Sequence, residues 1–324
     1  MSAHVPSPLS PTQTETVVQS KDLALDLTQT YPRSPRHTLG GYVLAARILD
    51  KCRALVNGTM GAYKYGSSID RLFFEFSGID PEQFQNAVAQ GLNDDQFAIW
   101  LKENATQKND SQIVQWNNEI RCLRVCDCNP ELQGRLTNYI HNNLPEGTIV
   151  YSALDIFDIE EKRLKAFSYI NPKQADAQNN KALDLSRVYP RSPRALLGGF
   201  VLAGRMLDKC RAVIAETQGD YDFDCGLDRH FLGFSDIKAD EFKTFVATGA
   251  SDDAAGQWIQ KHAKPKDPEQ IMLWNNEWLD KRMEDLPPAT QAYMETYIAD
   301  NLPENAIVRV LFDVFDIEEK RIQV

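Results

Sequence analysis

The chain has 324 residues, 35 basic and 46 acidic side chains, a formal net charge of −11 and 43% hydrophobic residues. That length supports two domains of ordinary size, each with its own core, and no apolar run approaches the ~18 residues of a membrane span. The acidic balance disfavours nucleic acid as the main partner, because phosphate contact needs a net basic face.

The first twenty residues, MSAHVPSPLSPTQTETVVQS, are rich in Pro, Ser and Thr and lack the basic start and apolar centre of a secretory signal. They read as a disordered tail, 1–20, on a cytoplasmic protein. The rest of the chain is a duplication: residues 25–164 align on 183–322, at an offset of 158, with no gap and nearly half of the positions identical. A period this long is a whole domain rather than a solenoid unit. The expected organisation is a first copy at 21–164, a polar Asn/Gln/Ala-rich linker at 165–182, and a second copy at 183–324.

Helix signals dominate each copy. YPRSPRHTLGGYVLAARILDKCRA at 31–54 recurs as YPRSPRALLGGFVLAGRMLDKCRA at 189–212. Ser34 with Pro35, and Ser192 with Pro193, read as an N-cap followed by proline at the first helical position, predicting a buried helix over 35–56 and its counterpart. Ser68 stands ahead of IDRLFFEF with Gly78 as its stop. Asn93, Asp110, Asn129 before Pro130, and Asp267 before Pro268 open further helices. TIVYSALDIFDI at 148–159 fits a helical period better than alternation, and a short extended piece is expected near GAYKYG at 61–66. The fold expected is all-α: two homologous domains of about six helices each, related by a pseudo-twofold.

The repeated basic segment raises a question of charge. Arg33 and Arg36 fall at the expected helix start, and Arg47 and Lys51 continue a narrow polar line; Arg191, Arg194, Arg205 and Lys209 repeat them. Cations at a helix N-terminus need an anion nearby. Gly40 and Gly41 inside a helix cost on the order of 1 kcal/mol each, which predicts close approach by another backbone or a ligand. Two anions compete. One is internal: the closing DIFDIEEKR and DVFDIEEKR segments bring Asp155, Asp158, Glu160 and Glu161, or Asp313, Asp316, Glu318 and Glu319. The other is a small phosphate or carboxylate ligand gripped by forked guanidinium groups.

Catalytic readings are thinner. None of the five histidines has a histidine at its partner position, so histidine chemistry shared by both copies is excluded. Cys52 and Cys210 lie on an apolar face and read as inert thiols. Asp70 and Asp228 read as first-turn dipole partners before they read as bases. The Cys122, Cys126 and Cys128 cluster faces Asp280, Glu284 and Leu286 in the other copy, so free thiols are expected and neither a metal nor a cofactor. WNNE at 116–119 and 274–277 combines a core tryptophan with amides that bridge helices or meet a substrate.

PRSPR, LGGY, LAARILDKCRA, GAYKYG followed by IDRLFFEFSGID, and LDIFDIEEKR together resemble a family of uncharacterised bacterial single-domain proteins of unknown function. The resemblance covers nearly all of each copy and implies a tandem fusion of two such domains; it brings no activity, substrate or cofactor. Members often read CPLD where this chain has Ser67, Ser68, Ile69 and Asp70, and only the second copy, with Cys225, keeps the cysteine. The leading expectation is therefore a non-catalytic binding protein with an anion site at a helix N-terminus in each copy. It would be a monomer with pseudo-dimeric domains or a small homo-oligomer. An enzyme on a phosphorylated or carboxylated small molecule, anchored by Arg33, Arg36 and Arg47 with Asp50 or Asp70 as base, and a protein-docking scaffold are the alternatives.

Overall fold

A computed structural model describes residues 23–169, 182–264 and 267–322. The expected tail lies outside the described residues, as does most of the expected linker. The described chain is helical. In the first copy run α1 (Ala45–Asn57), α2 (Ser68–Ser77), α3 (Pro81–Val88), α4 (Asp94–Asn104), α5 (Asp110–Arg121), α6 (Pro130–Asn143) and α7 (Asp155–Glu160). The second copy repeats them as α8 (Ala203–Ile214), α9 (Gly226–Ser235), α10 (Ala239–Val246), α11 (Asp252–His262), α12 (Pro268–Leu279), α13 (Pro288–Asn301) and α14 (Leu311–Glu318). The chain is thus two homologous helical domains in sequence, with seven α-helices per copy among the described residues against about six expected.

Capping chemistry sets most of these boundaries. Asn93 accepts from Gln96 N at 2.9 Å, Asn129 from Leu132 N at 2.9 Å and Asp267 from Glu269 N at 2.9 Å. Gly78 closes α2 in the left-handed region at φ 69°. The α2 cap is Ser67 rather than Ser68, because Asp70 reaches back to Ser67 N at 3.0 Å.

The helix expected over 35–56 starts ten residues late, and this is the main correction. Ser34 is not its N-cap: its hydroxyl accepts from Arg36 N at 3.2 Å in a local turn. Leu39 and Tyr42 bridge each other around Gly40 at φ 58° and Gly41 at φ 93°, and Leu44 itself sits at φ 67° before α1 begins at Ala45. The two glycines therefore serve a tight loop that L-residues resist, not a helix interior. The second copy does the same with Gly198 at φ 59° and Gly199 at φ 91°.

Two further expectations change. Residues 61–66 form turns, not an extended piece. The run 148–159 splits into a two-residue strand β1 (Thr148–Ile149) and α7; β1 pairs antiparallel with β2 (Phe167–Ser168), at the start of the segment read as linker. Gly147 at φ 77° makes the sharp entry to β1.

Packing divides the chain into two compact units, one ending at Ile120 and the other beginning at Arg121. The sequence repeat and the packing unit thus have different boundaries: α6, α7 and β1 of the first copy pack in the unit that holds the whole second copy. In the first unit Phe76 stacks on Trp116 with centroids 4.5 Å apart, and Tyr42 meets Phe73 edge-on. The second unit repeats the stack with Phe234 and Trp274 at 4.7 Å. It also holds a smaller core around Leu132, Leu136 and Ile156 from the first copy.

Inside the second unit the two copies meet reciprocally. Arg124 donates to Asp280 O at 3.3 Å while its counterpart Arg282 donates to Cys122 O at 3.3 Å. Arg309 lies over the ring of its own counterpart, Tyr151, at 4.8 Å. A residue that touches its own equivalent lies on a twofold, so the local pseudo-symmetry has the geometry of an isologous contact.

Candidate functional site

The basic residues singled out by sequence do not stand at a helix start, since α1 and α8 begin downstream of them. They are brought together by the loop and by one face of the helix, and carboxylates of the chain meet Arg33, Lys51, Arg191, Arg194, Arg205 and Lys209. In the second unit Arg191 holds Asp208 at 2.7 Å and Asp252 at 2.7 Å, and Arg211 shares Asp252 at 2.6 Å. Arg194 is clamped between Asp313, at 2.6 Å, and Asp316. Arg205 reaches Glu319 at 2.6 Å and lies 5.5 Å from the centre of the Tyr221 ring. Lys209 meets Asp228 at 2.8 Å and Cys225 Sγ at 3.1 Å. Burial alone would lower the Arg194 and Arg205 pKa values, but the facing carboxylates outweigh it and hold both above the usual arginine value. One oxygen of Asp316 is buried without a hydrogen-bond partner, 4.0 Å from the Arg321 guanidinium.

The first unit shows the same wiring where its residues belong to it. Arg33 takes Asp50 at 2.7 Å and also Asp94, and Arg53 shares Asp94 at 2.7 Å. Lys51 is buried against Asp70 at 2.6 Å, and Arg47 donates to Arg33 O at 3.1 Å beside the Tyr63 ring. Arg36 lies in the loop, its backbone N–H on Ser34. Asp50, Asp70, Asp208 and Asp228 are thus ion-pair partners buried in the fold.

The expected close approach holds at Gly40 and Gly198 and not at Gly41 and Gly199, and its occupant is protein. A Cβ on Gly198 would lie 2.8 Å from Gly256 O of α11, and one on Gly40 would lie 3.3 Å from Ala98 O of α4. The WNNE amides lock this loop. Asn117 accepts from Val43 N at 3.0 Å and donates to Gly41 O at 2.7 Å, and Asn275 repeats both bonds with Val201 N and Gly199 O. Cys52 and Cys210 are buried, and burial pushes each thiol up to about 12. Among the described residues no group of three or more His, Cys, Asp and Glu is placed to hold a metal ion.

A cavity of about 650 Å³ opens in the second unit. Its walls are mostly apolar, supplied by Ile140 of α6, Ile149 of β1, Phe200 of the glycine loop, and Ile271 and Leu279 of α12. Among the described residues two charged side chains line it, Arg194 and Asp280. Arg194 is matched by its two aspartates. Asp280, 5% exposed at the C-cap of α12, accepts from Cys126 N at 3.0 Å and forms no ion pair among the described residues. Burial raises its carboxyl to about 6, against the opposing pull of the Cys126 N–H and the Arg124 charge. Sequence reading missed this site. Its one visible signal was the mismatch between Asp280 and Cys122, its exposed counterpart.

A family model, that of DUF5069, a domain of unknown function, matches residues 29–163 and again residues 187–321. No curated protein matches the chain.

Proposed function

The chain belongs to the DUF5069 family, once in each half, and we propose that it acts as a non-catalytic binding protein whose cavity in the second unit takes a small, mainly apolar molecule. The observation that carries this reading is the cavity itself. Its ~650 Å³ lies within the span of small-molecule sites, and its apolar walls with a few fixed polar groups have the composition such sites share. Asn276, buried on α12, is already bonded to Thr137 and Gln133 of α6, so two helices from different copies are tied together across one wall. Such a wall is preformed, which spares a ligand the cost of ordering it.

The anion reading at Arg33, Arg36, Arg47 and Lys51, and at Arg191, Arg194, Arg205 and Lys209, has less support. In the second unit a phosphate guest would have to displace carboxylates that are themselves buried, leaving them uncompensated. The cavity reading is tested with the neutral fluorescent probe N-phenyl-1-naphthylamine. Saturable one-site binding is expected, and it should be lost in Ile140→Trp and in Ile271→Trp, which fill the cavity from facing helices. No saturable binding, or binding indifferent to both substitutions, would remove the cavity as the site.

A further inference from the structure

We infer that the cavity selects ligands bearing an ammonium group, held by Asp280; this rests on the cavity being the binding site. Of the two charged residues in the lining, Arg194 faces two carboxylates and Asp280 faces no cation within ion-pair distance among the described residues, so the unmatched charge is negative. Asp280 also caps the C-terminal end of α12, where unsatisfied carbonyls place partial negative charge. The groups around it do not cancel this. Arg124 is committed to Asp127 at 2.8 Å and to Asp285, Cys126 offers only its N–H and a neutral thiol, and Lys281 pairs with Glu277 at 2.6 Å. A neutral ligand leaves a buried carboxylate under-solvated, and an anionic one adds repulsion; a cation supplies the missing partner. A carboxyl raised to about 6 by burial is a group whose ionised form lacks compensation.

The probes are octylammonium, octan-1-ol and octanoate, which share one chain and differ in head group. Calorimetry on the full chain near neutral pH should show octylammonium binding at least about tenfold more tightly than octanol, with octanoate weakest. The preference should fade as pH falls through about 6, where Asp280 takes up its proton. In Asp280→Asn, which keeps an acceptor for Cys126 N–H, octanol binding should persist unchanged while the ammonium preference disappears. Equal binding of octylammonium and octanol to the unaltered chain overturns the inference and leaves the cavity reading intact. Tighter binding of octanoate overturns it in favour of Arg194. An ammonium preference that survives Asp280→Asn overturns the role of that residue. If none of the three binds and the neutral naphthylamine fails as well, the cavity reading falls first.

Discussion

The ion-pair web around the glycine loop and the site at the end of the fifth helix of each copy behave in opposite ways under duplication. Arg33, Asp50, Asp94 and Arg53 reappear residue for residue as Arg191, Asp208, Asp252 and Arg211, with the same partners at nearly the same distances. The fifth helix instead ends beside an exposed cysteine at 122 and a buried aspartate at 280. Groups that repeat with all their partners answer a demand both copies share, the closing of a buried loop. A group that differs answers to its own surroundings, and at 280 those surroundings are a cavity.

The largest effect should come from breaking the shared web. Asp208→Ala leaves Arg191 buried and short of its main partner, and is expected to cost about 3–5 kcal/mol in urea unfolding. Asp50→Ala should cost clearly less, because the Arg33 side chain is 26% exposed against 10% for Arg191 and can turn to water. Equal losses would mean that exposure does not set the strength of this web.

Next is the difference at 280. In the fold Asp280 keeps its proton up to about pH 6, whereas the unfolded carboxyl releases it near 3.8. The native state therefore binds more protons in that window, and the contribution of Asp280 to stability falls as pH rises through it. Replacing the carboxyl with the uncharged amide in Asp280→Asn should raise stability above pH 7 by about 2–3 kcal/mol, with the gain vanishing toward pH 3.8. Exposed Cys122→Asn should show no such pH-dependent gain. Urea titrations at several pH values read both.

The smallest effect separates two adjacent glycines. At Gly199 an added methyl meets nothing within 4 Å, so Gly199→Ala should cost only the left-handed backbone, about 1–2 kcal/mol. Gly198→Ala adds a methyl 2.8 Å from Gly256 O and should exceed it by thermal unfolding.

Much of the fold was legible because the signals were local. Asn93, Asn129 and Asp267 cap helices through bonds that span two or three residues, and Gly78 stops α2 by its own backbone freedom. The misplaced start of α1 has a local cause too: Ser34 and Pro35 form a turn as readily as an N-cap, and Leu44 N bonds back to Pro35 O at 2.9 Å. The partners of the arginines were less legible. Asp316 and Asp313 lie more than a hundred residues from Arg194, and their sequence could only name them as candidates against a ligand. Asp280 left a trace only as a mismatch between copies.

By itself the sequence determined the duplication, the helical class and the family, since each rests on periodicity, caps and repeated words that need no partner. Which carboxylate meets which guanidinium, and where a cavity remains beside a buried aspartate, were decided by tertiary packing. Those outcomes depend on segments distant in the chain being buried together, where the loss of water makes an unmatched charge costly enough to matter.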